Sequence, residues 1–241
     1  MLSGRRDSSS HSERLARAVG CVLARREITG GARVRLKTGN CGRGPMVVQV
    51  NLRVRGAPAR VMAVTAGNDD LAPALARLDR HIETLYSPWR PRPWPDSTRR
   101  MLTAGPDSVV ARRKAVLPQR LTPMQAVQVM DAMDYDAHLF TDVDTGEDAV
   151  VYRAGPSGLR LARQFQVFPP GWSSSSNPSG PPVPLVVNSR RAPALTEAAA
   201  VRRMREHRAR LLFFTDPTSG RGQLLYPRYD GNLGLITPVN G

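Results

Sequence analysis

Lysine is nearly missing from this chain: of 35 cationic residues only Lys37 and Lys114 are not arginine. Arginine's planar fork matches phosphates and base edges, yet a GC-rich genome produces the same skew, so the preference alone selects no partner. Cysteine is as scarce. Cys21 falls in a helical pattern and Cys41 in the turn-like GNCGRG, without C-x-x-C spacing, which argues against zinc and a redox pair and for free thiols in a reducing compartment. No apolar run approaches about 18 residues, and the polar, Ser-rich start has no hydrophobic signal region, so a soluble cytoplasmic chain with no membrane partner is expected. Catalytic groupings are absent too. His11, His81, His138 and His207 lie in different segments, and there is no P-loop, G-x-S-x-G or metal-ligand cluster, so neither an enzyme, a cofactor nor a metal site is expected. The acidic run Asp142, Asp144, Glu147, Asp148 lacks the glycine and glutamate of a calcium loop and reads as a solvated hairpin.

What is present is a repeat. Residues 121–161 align without a gap to residues 195–235, with 12 of 41 positions identical, where composition gives roughly two or three. The shared positions are structural: a Leu-Thr pair opening a helix (Leu121, Thr122; Leu195, Thr196), Met130 and Met204, Phe-Thr-Asp (Phe140 to Asp142; Phe214 to Asp216), a turn glycine (Gly146; Gly220), a tyrosine (Tyr152; Tyr226) and a closing Leu-x-Leu. Such residues serve packing and association. Phe140, Tyr152, Phe213, Phe214 and Tyr226 are the candidate association residues, as suited to a core as to an interface.

The net charge of +15 is uneven. Residues 1–85 carry +8 and 86–120 carry +6, whereas 121–166 carry −4. A polyanion, nucleic acid being the commonest, is therefore expected on the amino-terminal part, not on the first repeat.

Six segments follow from composition and periodicity: a flexible arm (1–11), an RNA-binding domain (12–86), a Pro/Arg/Trp linker (87–107), a first repeat domain (108–166), a Ser/Pro-rich linker (167–183) and a second repeat domain (184–241). Within 12–86, Leu15, Val19, Val22 and Leu23 predict a helix to about Arg26 with Ser12 as N-cap. Alternation in ARVRLKT and VVQVNLRVR predicts strands whose Arg33, Arg35, Lys37, Arg53 and Arg55 share one face. Gly56, Ala57 and Pro58 supply a turn, ARVMAVTA a third strand, and Leu71, Leu75, Leu78, Ile82 and Leu85 a second helix. Arg14, Arg17, Arg25 and Arg26 on the first helix and Arg77 and Arg80 on the second extend the basic footprint. Arg90 and Arg92 interleave with Trp89 and Trp94 in the linker, a pattern suited to stacking on unpaired bases or to leaning on a neighbouring domain. The fold class is α+β: a small sheet with two helices on one face, of double-stranded-RNA-binding type, then two duplicated β-α-β-β-β domains.

The chain resembles the long form of the bacterial ribosome hibernation promoting factor, most closely its two-tailed, dormancy-associated version from mycobacteria. The resemblance lies in LTPMQAVQVMDAMDYDAHLFTDVDTGEDAVVYR, in the closing YPRYDGNLGLITP, and more weakly in NDDLAPALARLDRHIE. It implies a factor that binds the 30S subunit and 70S ribosome through 16S rRNA, in the channel used by mRNA and tRNA, and silences translation. Three departures stand out: no strand signal precedes the first helix, arginines of SPWRPRPW replace a lysine-rich end, and a second carboxyl-terminal repeat is present. In the family a single such domain pairs two molecules and thereby two ribosomes. Two repeats in one chain are expected to pair with each other, or one to dock on the ribosome, giving single 70S particles. The alternatives are 100S ribosome dimers and a general double-stranded-RNA or mRNA regulator.

Overall fold

The computed structural model describes residues 4–37, 46–65, 70–92, 94–96, 101–154, 158–167 and 185–239, with side chains from Ser12 onward, that of Lys37 excepted. These form an α+β structure of four helices and three sheets. Contacts divide the chain into two units, one made of residues up to Arg90 and the other of nearly everything after it. Among the described residues no helix is long and apolar enough to cross a membrane.

The first unit runs α1 (Gly4–Arg25), β1 (Ala32–Lys37), β2 (Val47–Val54), β3 (Ala57–Val64), α2 (Ala72–Tyr86). Its strands form an antiparallel sheet in the order β1-β2-β3. Alternation sets the two faces: Val48, Val50, Leu52 and Val54 of β2 are buried, while Gln49, Asn51 and Arg53 point the other way. The inward valines and leucines meet Leu15, Val19, Val22 and Leu23 of α1 and Leu78 and Ile82 of α2 in a single core, so both helices lie on one face. The β2–β3 hairpin closes on Arg55 (φ 50) and Gly56 (φ 79), two left-handed residues whose twist matches that of the strands. The Arg55 guanidinium lies 4.8 Å from the Tyr86 ring centroid, a cation–π contact that offsets part of the cost of a left-handed residue other than glycine. Ala57 and Pro58, expected in the turn, already belong to β3.

α1 starts at Gly4, where an arm was expected, and Ser12 lies inside it and not at its N-cap. Residues 4–11 carry no apolar period, but extending an existing helix needs none, since propagation costs far less than nucleation. Among the described residues no strand precedes α1.

The second unit comprises β4 (Val110–Val116), β5 (Arg120–Leu121), α3 (Pro123–Ala132), β6 (Ala137–Asp142), β7 (Asp148–Tyr152), β8 (Leu159–Arg163), β9 (Leu185–Val187), α4 (Glu197–Glu206), β10 (Leu212–Thr215), β11 (Gly222–Pro227) and β12 (Leu233–Pro238). The Ser/Pro-rich linker lies almost wholly outside the described residues. Two sheets result, β5-β6-β7-β8-β9 and β10-β11-β12-β4.

The leading strands are exchanged. β4, which precedes the first repeat, pairs parallel with β12 of the second (Arg113 with Leu235, Lys114 with Ile236). β9, which precedes the second repeat, pairs parallel with β8 of the first (Val187 with Leu161). The expectation that each repeat keeps its own leading strand is corrected here. The physical reason is that both sheets offer the same Leu-x-Leu edge, Leu159 and Leu161 or Leu233 and Leu235, so a short strand's own sequence does not choose between them.

Each sheet has two covered faces. On one, α4 sets Ala200 and Met204 against Phe214, Leu225, Leu233 and Leu235; on α3 the equivalent Ala126 and Met130 are likewise fully buried. On the other, Leu139, Val150 and Ala162 of one sheet meet Phe213 and Leu224 of the other in a shared apolar layer. Each large apolar side chain so buried contributes roughly 1.5–3 kcal/mol.

Candidate nucleic-acid interface

The face of the first sheet opposite its helices collects polar and cationic side chains. Arg33 and Arg35 of β1 and Arg53 of β2 are exposed, and the register places Arg33 beside Asn51 and Asn51 beside Arg60. Alternate residues on a strand lie about 6–7 Å apart and neighbouring strands about 4.8 Å, so the guanidinium groups spring from a grid near the spacing of phosphates in a folded nucleic acid. Asn51 accepts from the Gln49 amide at 3.0 Å, which ties the two together within this grid. Arg60 was not among the residues picked from the sequence, although the alternation of β3 places it outward between buried Ala59 and Val61. Lys37 ends β1, and its side chain lies outside the described residues.

The flanking cations divide into two groups. Arg14, Arg17 and Arg25 on α1, Arg80 on α2, Arg55 in the hairpin and Arg90 beyond α2 are exposed. Arg26, Arg77 and Arg92 are half-buried and hydrogen-bonded to the protein, and of the exposed group Arg25 also lies 3.9 Å from Asp79. Arg26 grips Asp79 through Nε and Nη2 at 2.8 and 2.9 Å, fastening α1 to α2. That hydrogen-bonded pairing raises the Arg26 pKa and lowers that of Asp79. Arg77 Nε donates to the Met62 carbonyl at 2.8 Å. Arg92 Nη2 donates to the Asp131 carbonyl at 2.8 Å. Trp94, considered for base stacking, is half-buried against Gly158 with the Arg210 guanidinium 5.4 Å from its ring centroid.

The five aromatic residues of the repeats separate by depth. Phe140 and Phe214 are fully buried, Phe214 in the core beneath α4. Phe213 lies in the layer between the two sheets, and Tyr152 packs at its border. Asn188, just past the exchanged strand β9, donates to the Tyr152 hydroxyl at 3.0 Å. Reciprocally, Lys114 of the exchanged strand β4 sets its ammonium 5.7 Å from the Tyr226 ring centroid.

The negative charge of the first repeat is largely internal. Asp142 is completely buried against Arg163, at 2.7 and 2.8 Å, and buried Asp131 pairs with buried Arg153. Asp148 is buried against Arg221 of the second repeat. The solvated hairpin expected for Asp142, Asp144, Glu147 and Asp148 is thus corrected: only Asp144 is exposed, and Glu147 accepts from the amides of Phe165 and Gln166. Spacing on the chain carries no sign of this, because the partners Arg163, Arg221, Phe165 and Gln166 are distant in sequence.

Comparison with known proteins agrees with the sequence resemblance. A family model described as the Sigma 54 modulation/S30EA ribosomal protein C terminus matches residues 106–161. The chain is 66% identical over 239 residues to a protein named "Dormancy associated translation inhibitor" in two strains of Mycobacterium tuberculosis, covering 99% of this chain and 88% of the relative. The chain accordingly belongs to the long-form bacterial ribosome hibernation promoting factors, in their mycobacterial dormancy-associated version.

Proposed function

We propose that the protein is a cytoplasmic translation silencer that acts by occupancy and without catalysis. The first unit binds 16S rRNA of the small subunit in the mRNA and tRNA channel, and the paired repeats keep each chain to a single 70S ribosome. The carrying observation is the cationic grid of Arg33, Arg35, Arg53 and Arg60 on the sheet face that no helix of that unit covers. The helix, three strands and helix, with both helices behind the sheet, support reading this unit as one of double-stranded-RNA-binding type. The name of the mycobacterial relative adds translation inhibition and dormancy. The exchanged strands support pairing of the repeats within one chain: a second repeat tethered to the first is present at an effective concentration on the order of millimolar.

Cosedimentation of the full chain with 30S and 70S particles at two salt concentrations tests this reading. If six to ten phosphates are neutralised, binding weakens by roughly three to five orders of magnitude between about 50 and 200 mM salt. A chain lacking Arg33, Arg35, Lys37, Arg53 and Arg55 should lose both silencing and most of that salt dependence; undiminished silencing would overturn the proposal. Equal affinity for ribosome-free duplex RNA would favour a general RNA regulator. A 100S peak in the same gradients would point to pairing between molecules.

A further inference from the structure

The two repeats differ in chemistry where their hairpins meet. The first has Leu139, Glu147 and Asp148; the second, 74 positions later, has Phe213, Arg221 and Gly222. The positions are equivalent in the sheets, since Asp148 pairs with Thr141 and Gly222 with Thr215. Asp148 accepts from Arg221 Nε and Nη2 at 2.8 and 3.0 Å and from the Gly222 amide at 2.9 Å, so every acceptor contact of its buried carboxylate named here is supplied by the other repeat. Gln164 of the first repeat donates to Thr215 Oγ1 and the Gly220 carbonyl of the second, at 3.1 and 3.0 Å. The second repeat's equivalent of Gln164 is Pro238, which has no such donor.

We infer that this corner makes the first repeat select a second repeat as its partner and reject a copy of itself. A Cβ on Gly222 would stand 2.8 Å from the Cβ of Asp148 and 2.7 Å from the Phe213 ring. Two first repeats joined in the same geometry therefore press Asp148 on Asp148, closer than side chains pack, and bury two carboxylates with no guanidinium between them. Two second repeats face two Arg221 side chains without a carboxylate, and Pro238 stands where Gln164 would donate. Only the mixed pair satisfies both sides, and negative design of this kind fixes partner choice. The association surface that would otherwise join two molecules is consumed within the chain.

The inference rests on the internal pairing proposed above and is tested in the full-length chain by hydrogen exchange of the β4 and β9 amides, together with the mass in solution. One variant gives both repeats the first corner (F213L/R221E/G222D), a second gives both the second corner (L139F/E147R/D148G), and a third combines all six substitutions, exchanging the corners. Each one-sided variant should lose at least about tenfold of the protection of β4 and β9, and the combined variant should regain most of it. Wild-type protection in either one-sided variant overturns the inference. So does a combined variant no better protected than the one-sided pair, because the residues then serve only their own hairpins. A wild-type chain that is dimeric in solution, with the same response to the variants, removes the internal pairing and leaves the mixed-repeat preference standing.

Discussion

The first repeat and the second share a backbone plan and differ in what they bury. The first sinks charges: Asp142 with Arg163 and Asp131 with Arg153 lie within it, and Asp148 reaches across to Arg221. The second holds Asp216, the equivalent of Asp142, half-exposed and bonded to the amide and hydroxyl of Ser219 at 2.9 and 2.7 Å. Where the first repeat has Arg163 the second has Thr237, and where it has Arg153 the second has Pro227. A buried ion pair adds little net stability over apolar packing, but removing one partner is costly. The two halves therefore reach similar burial with different sensitivity to substitution, and the acidic balance of the first repeat reflects its interior more than its surface.

The largest test of that contrast is the aligned aspartate. Asp142→Ala should cost about 3–5 kcal/mol by stranding buried Arg163, whereas Asp216→Ala should cost about 1 kcal/mol, the worth of a local carboxylate turn. Hydrogen exchange of the β6–β8 and β10–β12 amides measures both, and equal costs would break the distinction.

Next in size is a pH effect confined to the first repeat. His138, stacked on Tyr135 and Phe140, is pushed down to about 4 by burial. The unfolded chain takes up a proton below its ordinary value near 6.5, while the folded imidazole stays neutral until about 4. Stability is thus full above pH 6.5 and falls by on the order of 2–3 kcal/mol as the pH drops to about 4. His138→Leu, which installs the apolar character of the equivalent Leu212, should flatten that slope in a pH series of denaturation curves.

The smallest contrast lies at the helix starts. Thr122 accepts from the Gln125 amide, and the Gln125 side chain accepts from the Thr122 amide in return, at 3.3 and 2.9 Å. Thr196 accepts from Ala199 alone, with no side chain to reciprocate. Thr196→Ala should cost about 1 kcal/mol, and Thr122→Ala a few tenths more, because it also disturbs the returning bond. Thermal melts of the two variants separate them.

Much of this architecture was legible in the sequence. Period-two alternation located β1, β2 and β3 with their inward valines, and leucine spacing located α2. The β-α-β-β-β pattern read from the repeat gave the helix and three strands seen as α3 with β6–β8 and α4 with β10–β12. What alternation does not encode is choice of partner. A strand ahead of each repeat's helix was expected, and β4 and β9 are those strands, but their sheets depend on which of two near-identical edges lies closer in three dimensions. The same limit applies to the candidate site. The exposed Arg33, Arg35 and Arg53 followed from strand phase alone, whereas the engagement of Arg26 by Asp79, 53 residues away, and of Arg77 by the Met62 carbonyl required the packed helices. Arg60 was within reach of the same phase argument that found its neighbours.

Strand exchange also bears on how the chain comes into being. β4 finds its place beside β12 only after more than a hundred further residues have been made, since Val110 pairs with Leu233. At roughly 5–20 residues per second, β4 waits on the order of ten seconds with its backbone groups unmatched by a neighbouring strand. The sheet that β4 borders cannot be completed before β12 is made, and β9 closes the other only once residues 185–187 are made, so a product cut short after the first repeat leaves translation with an exposed strand and an open sheet border, the features that invite aggregation.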